Sequence, residues 1–154
     1  MTIYEGIPPR LAEMVEMFRT MDRSERIQML IDIGTSFKDV PVNVASRPFD
    51  EARRVPNCES EAFVFSQPNP DGTLKYHFAV ENPQGISAKA AAVILHKTLS
   101  GAPLEQVLRV PADVMYDIFG RELSMGKNMG LTGMVNFCKV AAAQQFAKTR
   151  DELK

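Results

Sequence analysis

The side chains best suited to thiol or proton-transfer chemistry in this 154-residue chain are two cysteines, Cys58 and Cys138, and two histidines, His77 and His96. Cys58 closes a Pro-Asn turn in the stretch "RRVPNCESEAFVF", just before a strand-like run. Buried cysteines usually sit on an apolar face. Here Asn57, Glu59 and Ser60 are polar, and no helical or strand period makes Cys58 part of such a face. A thiol on an exposed loop is open to oxidation, so its placement there argues for a use. No second cysteine or clustered histidine lies near enough in sequence for a zinc site or a C-x-x-C pair. A one-thiol mechanism remains, in which Cys58 is a nucleophile, a carrier or a peroxide-reactive residue. Arg53 and Arg54 precede it, and positive charge nearby favours an anionic sulfur.

Cys138 reads differently, because Leu131, Met134, Val135, Cys138 and Ala142 fall on one helical stripe and make it a core thiol. His77 falls on the polar face of an alternating run and could serve a thiol as base; His96 lies on a helix flank beside Lys97. Both read as surface histidines. The run "GKNMG", Gly126 to Gly130, suggests a phosphate loop, but the first glycine of that motif would fall on Arg121 and Asn128 stands where Ser or Thr should be. That reading is rejected.

The elements that must position Cys58 are legible from periodicity. "PPRLAEMVEMFRTM" spaces Leu11, Met14, Val15 and Phe18 as an amphipathic helix, and "DRSERIQMLIDIGTSF" reads as a second. Asp22 or Ser24 would cap the second, Ile27, Leu30 and Ile31 would share its buried face, and Gly34 would end it. "KDVPVNVASRPFDEA" has neither period and reads as a long ordered loop. "EAFVFSQ" and "LKYHFAVE" flank the turn signal "PNPDGT" and form a hairpin, with Leu74, Tyr76, Phe78 and Val80 on one face. "ISAKAAAVILHKTLSG" is a helix capped by Ser87 and stopped by Gly101. "PLEQVLRV" and "ADVMYDIF" are short helical pieces, and "KNMGLTGMVNFCKVAAAQQFAK" is a long final helix. Helices, then a hairpin, then helices make an α+β pattern.

With 45% hydrophobic residues the chain can bury a proper core as a single domain over residues 1–154. A formal net charge of −1 gives no whole-protein attraction to nucleic acid or to an anionic membrane. The first residues lack the build of a signal peptide and no apolar run is long enough to span a bilayer, so a cytoplasmic protein is expected, with both cysteines reduced.

The residues around Cys58 resemble the SufE family of sulfur-acceptor proteins. The family's Val-x-Gly-Cys-x-Ser motif corresponds to Val55-Pro56-Asn57-Cys58-Glu59-Ser60, followed by Phe63 where an aromatic, often Trp, is usual. "LSMGKNMGLTGM", Leu123 to Met134, is similar to the family's Leu-Ser-x-x-Arg-x-x-Gly-Leu-x-x-Met, with Lys127 in place of its arginine. The order of elements agrees from about Leu11 to Ala143. The resemblance implies a SufE-like α+β fold with a small antiparallel sheet of about three strands. It further implies a sulfur carrier rather than a stand-alone enzyme. Such a carrier takes persulfide sulfur from a cysteine desulfurase onto Cys58 and passes it to an iron-sulfur scaffold protein, with no metal or organic cofactor. Asn57, Ser60, Arg54 and Lys127 would bind the partner or support the thiolate, and Phe63, Phe65 and Phe78 would shelter it. Asn57 is the best non-glycine substitute in a left-handed turn, whereas Lys127 lacks the planar fork of arginine. The alternative is a non-carrier adaptor that binds a desulfurase or another enzyme and whose thiol is incidental.

Overall fold

A computed structural model describes residues 4–121 and 125–152. Helix α1 spans Pro9–Arg19 and begins on a proline, whose missing N–H is an orphan donor there in any case. It buries Leu11, Val15 and Phe18. Helix α2 spans Arg23–Thr35, and Asp22 rather than Ser24 caps it by accepting the Glu25 N–H at 2.9 Å. Two expectations for α2 need correcting. Leu30 packs against the core as expected, but Ile27 and Ile31 are 48% and 41% exposed, and Ile33 packs beside Leu30 in their place. Gly34 does not end the helix; it lies inside it, where a methyl group would come within 2.6 Å of Ile86 Cδ1. Its missing side chain sets how closely α2 approaches the next long helix.

Strands β1 (Ala62–Pro68) and β2 (Leu74–Val80) pair antiparallel, in register from Ala62 opposite Val80 to Pro68 opposite Leu74. The expected third strand is reduced to a single bridge between Arg54 and Phe63, so among the described residues the sheet has two strands. Pro56 supplies no N–H and Asn57 turns the chain away, which stops the pairing after one residue.

Leu74, Tyr76, Phe78 and Val80 face the main core as their alternation requires. The opposite face is covered too. Phe63, Phe65 and Ala79 meet Val40, Val44 and Phe49 of the irregular segment 36–50, with the Phe49 ring 5.0 Å from Phe63 and 5.1 Å from Phe65. Arg47 pins that segment, bonding Asp39 at 2.8 Å and Glu81 at 2.7 Å. The cover buries His77 to 8% exposure, against its reading as a surface residue.

Helix α3 spans Ile86–Leu99, α4 Leu104–Leu108, α5 Val114–Phe119 and α6 Met125–Glu152. Ser87 lies inside the first turn of α3 and does not cap it; Gly85 occupies that position without a side-chain bond. On α6, Leu131, Met134, Val135, Cys138 and Ala142 are all buried, and the Tyr76 hydroxyl donates to the Cys138 carbonyl at 3.1 Å. The architecture is α+β. No helix among the described residues is long and apolar enough to cross a membrane.

Candidate functional site

Cys58 sits at the centre of two successive turns between the Arg54–Phe63 bridge and β1. Pro56 and Asn57 occupy the middle of the first, and Asn57 adopts φ 57°, the left-handed conformation that Asn tolerates best after Gly. The second closes with the Glu61 N–H donating to the Cys58 carbonyl at 3.1 Å, and Glu61 is itself left-handed at φ 53°. The loop is strapped down at its base, since the Val55 N–H donates to the Ala62 carbonyl at 2.9 Å. Asn82 holds the outer limb, its backbone N–H donating to the Ser60 carbonyl and its side-chain amide to the Glu59 carbonyl, both at 3.2 Å.

The inner side of the loop rests on α6. Gly126, Gly130 and Gly133 recur at helical spacing and so share a face. A methyl group on Gly130 would lie 2.9 Å from Cys58 Sγ and 3.3 Å from its Cα. One on Gly133 would lie 2.5 Å from Val55 Cγ1, and one on Gly126 would collide with the Glu59 carboxylate. Side chains on this face would lift the loop off the helix.

The thiol is free and half-buried. It borders a small cavity of about 10 Å³, room for one water-sized group. Ser60, Ser87, Lys127 and Leu131 are among its other walls. Ser87 and Ala88 belong to the first turn of α3, and Gly126 and Lys127 lie on α6. The positive end of α3 therefore flanks the space beside the sulfur, where the Lys127 side chain is balanced by the Glu59 carboxylate on the same wall.

Of the residues singled out from sequence, Cys58, Ser60 and Lys127 line this cavity together, and Asn57 shapes the turn. Arg54 does not join them. Its guanidinium bonds Glu51 at 2.8 Å, approaches Glu61 at 3.6 Å and lies 4.6 Å from the Phe63 ring centroid, and these carboxylates raise its pKa further. The phenylalanine shelter also needs correcting. Phe63 and Phe65 belong to the cluster on the far face of the hairpin, Phe78 does not line the cavity, and the walls contain no aromatic side chain. Neither histidine borders the cavity. Leu123 and Ser124 lie outside the described residues.

Cys138 is fully buried on α6, and burial pushes its thiol pKa well up, as befits a core thiol. The residues that inspection of the sequence missed are Asn82 and the three glycines. The glycines left a signal, their i, i+4, i+7 spacing within one helix; Asn82 left none.

Residues 12–142 match the family profile described as "SufE: Fe-S metabolism associated domain". A SufE-like protein of Mycobacterium tuberculosis is 24% identical over 113 residues, which span 73% of this chain and 76% of that protein. The chloroplastic/mitochondrial SufE-like protein 1 of Arabidopsis thaliana is 23% identical over 150 residues, covering 96% of this chain but 38% of that longer protein. A hypothetical protein of Thermus thermophilus solved in solution superposes with a TM-score of 0.70 at 23% identity, over 92% of this chain and 98% of that one. That likeness shows the fold.

Proposed function

This chain belongs to the SufE family, tied by its description to Fe-S metabolism, and we propose that it accepts persulfide sulfur from a cysteine desulfurase onto Cys58 and delivers it to an iron-sulfur scaffold protein. The observation that carries the reading is the setting of Cys58. It is a reduced, half-buried thiol on a short strapped loop, resting on a glycine face of α6 and beside the N-terminus of α3.

The step is a thiol exchange. The Cys58 thiolate attacks the terminal sulfur of the desulfurase persulfide, the sulfur-sulfur bond on the enzyme breaks, and the enzyme's cysteine leaves as a thiolate. Cys58 then carries the persulfide, and no external oxidant or reductant is consumed. Delivery to the scaffold is the same exchange in the forward direction. The reaction asks for one nucleophile and access to the donor, which a loop on a rigid base provides. Asn57 sets the turn that presents the thiol. Ser60 borders the space where the second sulfur would rest. Lys127, exposed at the rim, faces the approaching desulfurase, whereas Arg54, paired with Glu51 and Glu61, orders the chain leading into the loop. The setting is a reducing cytosol, which keeps both cysteines as thiols.

Desulfurase turnover with cysteine as substrate, measured with and without this protein, tests the reading. The wild-type protein raises turnover, and Cys58→Ser binds the desulfurase without raising it. Stimulation by Cys58→Ser equal to that of the wild type would instead identify an adaptor whose thiol is incidental.

A further inference from the structure

A second, larger recess lies away from Cys58. A cavity of about 490 Å³ is enclosed by the segment 36–41, β2 and the second half of α3, and shares no wall residue with the cavity at the thiol. Its size falls in the range of small-molecule sites. Phe37, Phe78 and Val93 give it apolar walls, and Lys75, Lys97 and His77 bring polar groups to the same space. A neighbouring recess of about 700 Å³ shares Lys75, His96 and Lys97 and adds Arg10.

The charges in the 490 Å³ cavity are not balanced from within. Asp39 lies on its wall, but both its oxygens are taken by Arg47, at 2.8 and 3.1 Å. Lys38, Lys75 and Lys97 make no ion pair among the described residues. His77 is 8% exposed and its Nε2 is buried with no hydrogen-bond partner. Buried polar atoms are nearly always bonded, so Nε2, shut from solvent in a ring that lines the cavity, is an unmet hydrogen-bonding group beside it. His96 cannot supply it through Nδ1, which donates to the Tyr76 carbonyl at 2.6 Å. Burial, then His96 and Lys75, lower the pKa of His77. The ring therefore meets a ligand neutral, able to donate through Nε2.

We propose that this cavity binds a small organic anion, with its carboxylate or phosphate head held by Lys75, Lys97 and the Nε2 of His77 and its apolar body against Phe37 and Phe78. Two ammonium groups and a neutral imidazole donor suit an anionic head, and the phenylalanines suit an aromatic or branched aliphatic body.

Titration of the isotope-labelled full chain by NMR, with benzoate, phenyl phosphate and inorganic phosphate as separate probes, tests the proposal. Saturable shifts are expected at the amides of His77, Phe78 and Lys97 and on the His77 ring. At least one aromatic probe should bind about tenfold more tightly than inorganic phosphate, and the tighter of the two identifies the head group. Lys97→Gln should weaken binding about tenfold, while Lys89→Gln, on the same helix but outside the cavity wall, should leave it unchanged. His77→Phe should weaken it too, with a dispersed spectrum showing that the variant folds. Shifts that do not saturate, equal losses in Lys97→Gln and Lys89→Gln, or equal affinity for all three probes would overturn the proposal.

Discussion

Cys58 and Gly130 touch so closely that a methyl group on the glycine would lie 2.9 Å from the sulfur and 3.3 Å from the Cys58 backbone. The helix surface under the loop is thus bare backbone. Gly130→Ala gains about 0.5–1 kcal/mol of helix propensity but risks about 1–3 kcal/mol from overpacking. The sulfur can shift by a rotamer change, whereas the crowded Cys58 backbone can retreat only if the whole loop moves. We expect a modest net loss of stability, faster alkylation of Cys58 and slower sulfur transfer; Gly130→Val should exaggerate all three. Unchanged alkylation in both variants would mean that the glycine face does not set the height of the loop.

The left-handed Asn57 gives a second prediction. Asn57→Gly should preserve transfer, because glycine adopts the same conformation without strain. Asn57→Val should cost about 1–3 kcal/mol and slow transfer with Cys58 intact. Thermal melts and single-turnover transfer report the two effects separately. Equal behaviour of the Gly and Val variants would remove the turn from the mechanism.

The third prediction follows from His77, whose pKa is held below its ordinary value by burial first and then by His96 and Lys75. The unfolded chain takes up this proton near pH 6.5, while the folded chain resists it. The contribution of His77 to stability is therefore full above about pH 6.5 and declines as pH falls from there towards the lowered folded-state value. The drop in melting temperature between about pH 7.5 and pH 5.5 should be smaller in His77→Gln than in the wild type. Identical drops would show that the buried ring does not govern acid sensitivity.

The elements on either side of Cys58 were readable because their causes are local. The stripe through Cys138 is a helical period, the hairpin is two alternating runs around a turn signal, and Asn57 after Pro56 is turn chemistry. What escaped depends on a partner distant in sequence. His77 alternates with the apolar residues of β2 and so read as exposed, yet the segment carrying Val40 and Phe49 folds over that face and buries it. The same cover draws Phe63 and Phe65 away from the thiol they were expected to shelter. Ile27 and Ile31 fit a helical face with Leu30, but of the three only Leu30 packs on the core, beside Ile33, on a helix whose Gly34 sits tight against Ile86. In each case periodicity identified the element, and packing elsewhere decided which side of it is inside.

Intact-protein mass after incubation with a cysteine desulfurase and cysteine is the most direct test of the central claim, that Cys58 carries the sulfur. The wild type should gain the mass of one sulfur atom, removable by a thiol reductant and mapped to Cys58 by peptide analysis. Cys138→Ala should gain the same mass while losing about 1 kcal/mol of stability to a small cavity, and Cys58→Ser should gain none. A sulfur adduct on Cys138, or on Cys58→Ser, would contradict the account.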